Sequence, residues 1–229
     1  MAKSLIKSEN TEFLKGITVV GFDFDDTLVD ERHSIKKRWQ KVLQHYSFLS
    51  PKLEKTFFKI CQEKGPSYKF HLDDALSKLK IEKKNKNKIL FELRKTVSNS
   101  ELLLKGALEL LKELKKKDMK VGIITDGKKS SHEERIKRAG IYKFMDFIYY
   151  GNGKKEKKPN RKKLEGLMRL CGEKFPNNFL YVGNDFKNDI KGMLDVGIMA
   201  CWVTQEKSTS QTAKLLKVKN LRELCKKVF

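Results

Sequence analysis

No apolar run in the sequence approaches the ~18 consecutive residues that a membrane helix needs, so its hydropathy calls for no bilayer. The opening stretch MAKSLIKSENTEFLKG lacks the apolar segment of a signal peptide, and the expected compartment is the cytoplasm. Cysteine is scarce. Cys61, Cys171, Cys201 and Cys225 lie far apart with no CxxC pair, which argues against a zinc site or a disulfide framework and for reduced, core-filling thiols. Arginine is scarce too, with eight residues against 43 lysines. The formal charge of +22 invites a nucleic-acid reading. Base and phosphate recognition, however, favours the planar fork of Arg, and the lysines here are spread from end to end. Solvated Lys-rich faces are expected, with a positive field that draws in small anions and no specific nucleic-acid partner. His33, His45, His71 and His132 show no ligand spacing and are read as having no part in chemistry.

Acidic residues are also few, 29 of 229, so a dense cluster of them is informative. Residues 19–31 read VVGFDFDDTLVDE. A short run rich in Val and Phe is what a strand covered on both faces looks like. It ends in Asp23, Asp25, Asp26, Asp30 and Glu31, carboxylates that repel one another unless positive charge sits among them. Asp26 and Asp30 read as loop acids, and Thr27 as a residue that holds the turn.

From 31 to 105 no strand pattern follows. Apolar residues recur at helical spacing, among them Ile35, Trp39, Val42, Leu53, Phe57 and Ile60, and Pro51 suits a helix start. This predicts an all-helical insertion with Trp39 and the phenylalanines in its core. From Gly106 the pattern alternates. Helical residues 107–117 precede the apolar strand KVGIIT at 120–125. Ser130 and Ser131 before His-Glu-Glu read as an N-cap opening a helix that Gly140 ends. Strands are expected at 146–150, 179–182 and 198–203, and helices at 160–171, 188–195 and 211–227. The predicted fold class is therefore α/β: a Rossmann-like parallel sheet with helices on both faces (1–30 and 106–229) and an inserted helical cap (31–105).

In an open parallel sheet, ligands bind beyond the C-terminal ends of the strands. Asp23 and Asp25 follow the first strand; Thr125, Asp126 and Gly127 follow the second. Lys157 and Lys158 precede Pro159 after the third, and YVGNDFKND brings Asp185 and Asp189 after the fourth. Acids for a nucleophile and a hard cation, with a hydroxyl and a lysine for phosphate oxygens, are the inventory of phosphoryl transfer.

Four segments in order, FDFDDTL, IITDG, KKP and VGNDFKND, resemble the motifs of the haloacid dehalogenase superfamily, in the form with a helical cap inserted after the first motif. The resemblance spans residues 19–192. It implies that Asp23 is the nucleophile and that Asp25 is the acid and base, an acid that the superfamily's dehalogenases lack at this position. It implies phosphate contacts from Thr125, the backbone near Asp126, and Lys158. It implies Mg²⁺ held by Asp23, the backbone carbonyl of Asp25 and Asp185, with Asp189 acting through water or behind these. Many relatives read Gly-Asp where this chain has Gly183-Asn184-Asp185, which leaves Asn184 as a further oxygen donor. Crowding among carboxylates is expected to raise the pKa of Asp25. The implied activity is a Mg²⁺-dependent phosphatase of a small phosphomonoester, as monomer or homodimer, with a phosphomutase as the alternative. Arg38, Lys69 and His71 of the cap are candidates to read the leaving group.

Overall fold

The computed structural model describes residues 15–45, 51–64, 68–82, 84, 86–95, 101–151, 176–206 and 212–229. Six parallel strands, β1 (Val19–Phe22), β2 (Lys120–Thr125), β3 (Phe147–Tyr150), β4 (Phe179–Gly183), β5 (Met199–Val203) and β6 (Leu215–Val218), form one sheet in the order β3-β2-β1-β4-β5-β6. Side chains alternate across a pleated strand, so a strand buried on both sides carries apolar residues throughout. Val20, Phe22, Leu180 and Val182 pack with Leu110, Leu111 and Leu114 of α5 (Ala107–Lys116) and Leu221 and Leu224 of α8 (Leu221–Val228). Their neighbours Val19, Phe179 and Tyr181 belong to a separate cluster with Met193 of α7 (Lys191–Asp195). This places β1, with its acidic C-terminal end, in the middle of the sheet.

The chain divides into two compact units, residues 1–31 with 102–229, and residues 32–101. The second unit is built of α1 (Glu31–His45, which begins one residue before the boundary), α2 (Pro51–Lys64), α3 (Tyr68–Lys78) and α4 (Lys86–Lys95). It has its own core of Trp39, Leu53, Phe57, Leu72, Leu76 and Ile89, all buried, with the Trp39 and Phe57 rings 5.2 Å apart. Arg38 is buried in an ion pair with Glu101, and His71 is buried as well. The Lys69 side chain lies outside the described residues.

Two local expectations are corrected. The tail at 211–227 is not one helix: Leu215–Val218 pairs with β5 as β6 before α8 begins. LLKV is too short for its apolar pattern to separate strand from helix. The true helix start is Asn220, whose side chain accepts from the Glu223 N–H while Glu223 reaches back to Lys219 N–H. Likewise Ser130 and Ser131 do not cap α6 (Lys129–Arg138). Lys128 stands at the cap, and Ser131, inside the first turn, donates its hydroxyl to Lys128 O.

Gly106 opens α5 at φ +88°, and a Cβ there would lie 2.2 Å from the Arg222 backbone nitrogen of α8. Gly106→Ala is therefore expected to cost ~1–3 kcal/mol from overpacking alone, with left-handed strain in addition. A thermal melt checks this; an unchanged midpoint would mean that α8 yields at no cost.

Candidate active site

Asp23 follows β1 directly, and its backbone N–H donates to Val182 O of β4, 2.9 Å away. Beyond it the chain turns sharply. Asp26 has φ +56°, donates its N–H to Val29 O, and accepts the Glu31 N–H on Oδ1 at 3.0 Å. Thr27 is fully buried and donates from Oγ to Asn184 Oδ1, 3.1 Å away, which ties the acidic turn to the loop after β4. Thr27 thus does hold the turn, through a partner 157 residues distant.

Thr125 ends β2 and is buried. Its Oγ accepts the Gly127 N–H at 3.1 Å, which leaves the hydroxyl proton available to donate elsewhere. Asp126 is half-buried beside it. Lys158 falls outside the described residues.

Asp185 and Asp189 differ in environment. Asp185 is exposed, and its carboxylate caps the turn Phe186–Ile190: Oδ1 accepts from Lys187 N–H (2.9 Å) and Asn188 N–H (3.0 Å), and Oδ2 from Asn188 Nδ2 (2.6 Å). Asp189 is buried, accepting from Asp185 N–H at 3.1 Å and from Tyr181 O–H at 3.2 Å. Within this loop it is Asn184 that bonds to the β1 turn. Asp185, the expected metal ligand, has most of its lone pairs committed to its own turn.

Asp189→Ala would take the acceptor from the part-buried Asp185 N–H and leave the buried Tyr181 hydroxyl only the Ile124 carbonyl, 3.5 Å away, at ~1–3 kcal/mol for each weakened group. Asp185→Ala would remove an exposed cap, at ~0.5–2 kcal/mol. Scanning fluorimetry should rank Asp189→Ala as the more destabilised; the opposite order would contradict the buried role of Asp189.

Asp25 has acquired partners that composition did not announce. Its side chain is 34% exposed, with Oδ1 2.8 Å from Arg135 Nη2 and Oδ2 3.0 Å from His132 Nε2. Both come from α6, at positions three residues apart on one helical face. Arg135 is buried, forms a second ion pair with Glu31, also buried, and lies over the Phe24 ring, 5.0 Å from its centroid. His132 meets the same ring edge-on at 5.8 Å, and its Nδ1 lies 2.9 Å from Ser131 Oγ. Gly127 makes room for it, since a Cβ there would come within 2.0 Å of the imidazole.

Burial alone would raise the pKa of Asp25. The Arg135 guanidinium and His132 outweigh it and hold the carboxyl well below the usual carboxylate range. The shift runs opposite to that expected from acidic crowding, because the nearest charges are cationic. His132, read from sequence as outside the chemistry, lies against the Asp25 carboxylate. Its signal was a His and an Arg at i, i+3, shortly after the strand that carries Thr125.

A hard cation takes oxygen donors, and Mg²⁺ is commonly held by one or two carboxylates, with waters and substrate phosphate completing its shell. Where β1 and β4 end, the available donors are all oxygens: the Asp23 carboxylate, the Asp25 carbonyl, and the side chains of Asn184, Asp185 and Asp189. Among the described residues no three His, Cys, Asp or Glu side chains converge into a cage. The oxygen donors where β1 and β4 end fit Mg²⁺.

The chain is similar to known proteins in sequence and in fold. At 28% identity, the chain is similar to a glyceraldehyde 3-phosphate phosphatase of Pyrococcus furiosus, over 82% of its length and 81% of that protein's. The pyrimidine 5'-nucleotidase YjjG of Escherichia coli is 29% identical over 44% of each chain. In three dimensions the chain resembles the HAD-hydrolase YfnB of Bacillus subtilis, solved bound to magnesium, with a TM-score of 0.77 at 18% identity, covering 93% of this chain and 98% of that one. The haloacid dehalogenase-like hydrolase family matches residues 20–203, from β1 through the helical unit to the end of β5. With its acidic strand end, strands β1 to β5 and inserted helices falling inside that match, the chain belongs to the haloacid dehalogenase-like hydrolase family.

Proposed function

We propose that this protein is a Mg²⁺-dependent phosphatase of small phosphomonoesters, working through a phosphoryl group carried on Asp23. The observation that carries the reading is the convergence at adjoining strand ends: Asp23 after β1, Thr125 closing β2, and the Asn184–Asp189 loop after β4. Relatives that act on glyceraldehyde 3-phosphate and on pyrimidine 5'-nucleotides support a small phosphorylated metabolite as substrate. The net charge of +22 favours the approach of such anions.

In the first step Asp23 Oδ attacks phosphorus, the bond to the leaving oxygen breaks, and that oxygen takes a proton from Asp25. In the second, water attacks the phosphoryl group, Asp25 receives the water's proton, and Asp23 departs as a carboxylate. The proton given in the first step is the one recovered in the second. Thr125 donates its hydroxyl to a phosphoryl oxygen, joined by backbone N–H groups near Asp126 and by Lys158. Mg²⁺ would be held by Asp23, the Asp25 carbonyl and Asp185, with Asn184 as a further oxygen donor and Asp189 acting through water or behind these. It would supply the positive charge that offsets repulsion between carboxylate and phosphate. The helical unit serves as the cap that selects substrate, since none of these groups lies within it.

Released phosphate measured over a panel of sugar, triose, sugar-acid and nucleotide monophosphates, with Mg²⁺ and then with EDTA, tests the reading. Turnover that survives EDTA, or no release from any ester, would overturn it. A phosphomutase would instead return the phosphoryl group to a sugar phosphate and release little phosphate.

A further inference from the structure

We propose that Arg135 and His132 are positioning residues for Asp25, clamping both oxygens of its carboxylate so that it serves as the base of the dephosphorylation step. The inference rests on the phosphatase reading and names a part of the site that reading does not require. A carboxylate on a short side chain has free rotation about two bonds, and a base displaced by 1 Å loses much of its effect. Here each oxygen meets a different group: Oδ1 is ion-paired with the Arg135 guanidinium at 2.8 Å, and Oδ2 is hydrogen-bonded to the His132 imidazole at 3.0 Å.

The donors are themselves fixed. Arg135 is held by its ion pair with Glu31 and by the Phe24 ring beneath it. His132 is held by Ser131 at its other nitrogen and by the edge of the same ring. Phe24 and Asp25 come from the β1 loop and Glu31 from the first turn of α1, whereas Ser131, His132 and Arg135 come from α6, so segments about a hundred residues apart in sequence are locked at this point. Orientation through a second residue also has a kinetic mark. It slows the step in which Asp25 is base and leaves the arrival of substrate untouched.

The experiment uses the full-length protein with Mg²⁺ and nitrophenyl phosphate, whose leaving group departs with little need of an acid. His132→Phe keeps the ring against Phe24 and removes the donor; His132→Gln keeps an N–H donor; Arg135→Lys keeps the charge without the fork. His132→Phe is expected to lower kcat by ~10- to 100-fold, within the range of general acid–base effects, with KM unchanged or lower. A burst of nitrophenolate matching the enzyme concentration should appear as the second step slows. Gln at 132 should recover most of the loss. In an Asp25→Asn background the change at 132 should have almost no further effect, because its target is gone.

Full additivity of the two changes, or a rise in KM at constant kcat, would overturn the inference. Arg135→Lys, followed by melting temperature as well as rate, keeps the test open if a change at 132 lowers expression: a kcat loss without a burst would also overturn it. Asp23→Asn, run alongside, separates the two levels. If it retains turnover, the phosphatase reading falls and the positioning role with it. If it is silent while 132 and 25 are additive, only the positioning role falls.

Discussion

Asp23→Asn is expected to abolish phosphate release, by ~10³-fold or more as when other nucleophiles are removed, while the melting temperature stays within a degree or two of the wild type. With a reference pKa of about 3.9, an aspartate at neutral pH is already an anion and attacks without help from a base. The amide has nearly the same size and shape but no charge to attack with, and it is a poorer donor to a hard cation. The main-chain bond from residue 23 to Val182 O is indifferent to the change. Loss of turnover should therefore come without loss of fold. Phosphate release together with a thermal melt checks both halves, and more than a few per cent of residual activity would move the nucleophile elsewhere. Asp25→Asn should behave differently. It retains a nucleophile, so nitrophenyl phosphate should still load the enzyme in a single turnover, while an alkyl phosphate, which needs a proton on its leaving oxygen, should not.

Trp39→Ala is expected to cost ~3–5 kcal/mol, the range for truncating a large aromatic side chain in a core. Trp39 is fully buried among Leu53, Phe57, Leu72, Leu76 and Ile89, all from the helical unit, and no residue of the sheet belongs to that cluster. The damage should stay where the contacts are. Hydrogen exchange should show amides of α1–α4 opening sooner, with those of β1, β2 and β4 keeping their protection. Equal loss across both sets would mean that the two cores unfold as one cooperative body.

Much of the sheet was legible because a strand buried on both faces must be apolar at every position: VVGF, KVGIIT and FLYVG announce themselves. The acids after β1 were legible for the opposite reason, since an apolar strand that ends in carboxylates has few bland explanations. What sequence did not show depends on contacts between distant residues. Asp25 and His132 are 107 residues apart, and only the way α6 leaves β2 brings the imidazole against Phe24 and Asp25. His71 and His132 looked alike as letters, yet one is buried in the helical unit and the other lies against Asp25 and Phe24. Asp185 and Asp189 likewise form a regular DxxxD spacing, yet one caps its turn in solvent and the other is buried under Tyr181. β6 was missed because four residues of LLKV carry too little period to outvote a helical neighbourhood, and the capping pair Asn220 and Glu223 was the better guide to where the helix starts.

The position of β1 between β2 and β4 also sets an order of events in synthesis. β1 is complete at residue 22, but its neighbours in the sheet do not exist until residues 125 and 183 have been made. The helical unit, drawn from one continuous segment, can condense by short-range contacts long before that. As a ribosome extends the chain, an apolar strand with five acids behind it therefore waits, unpaired on both edges while about 100 residues are added and on one edge until about 160 have been. Such a strand is a candidate for pairing with the wrong chain. The carboxylates that follow it add charge repulsion between two nascent copies, a protection during birth by the same residues that later meet phosphate.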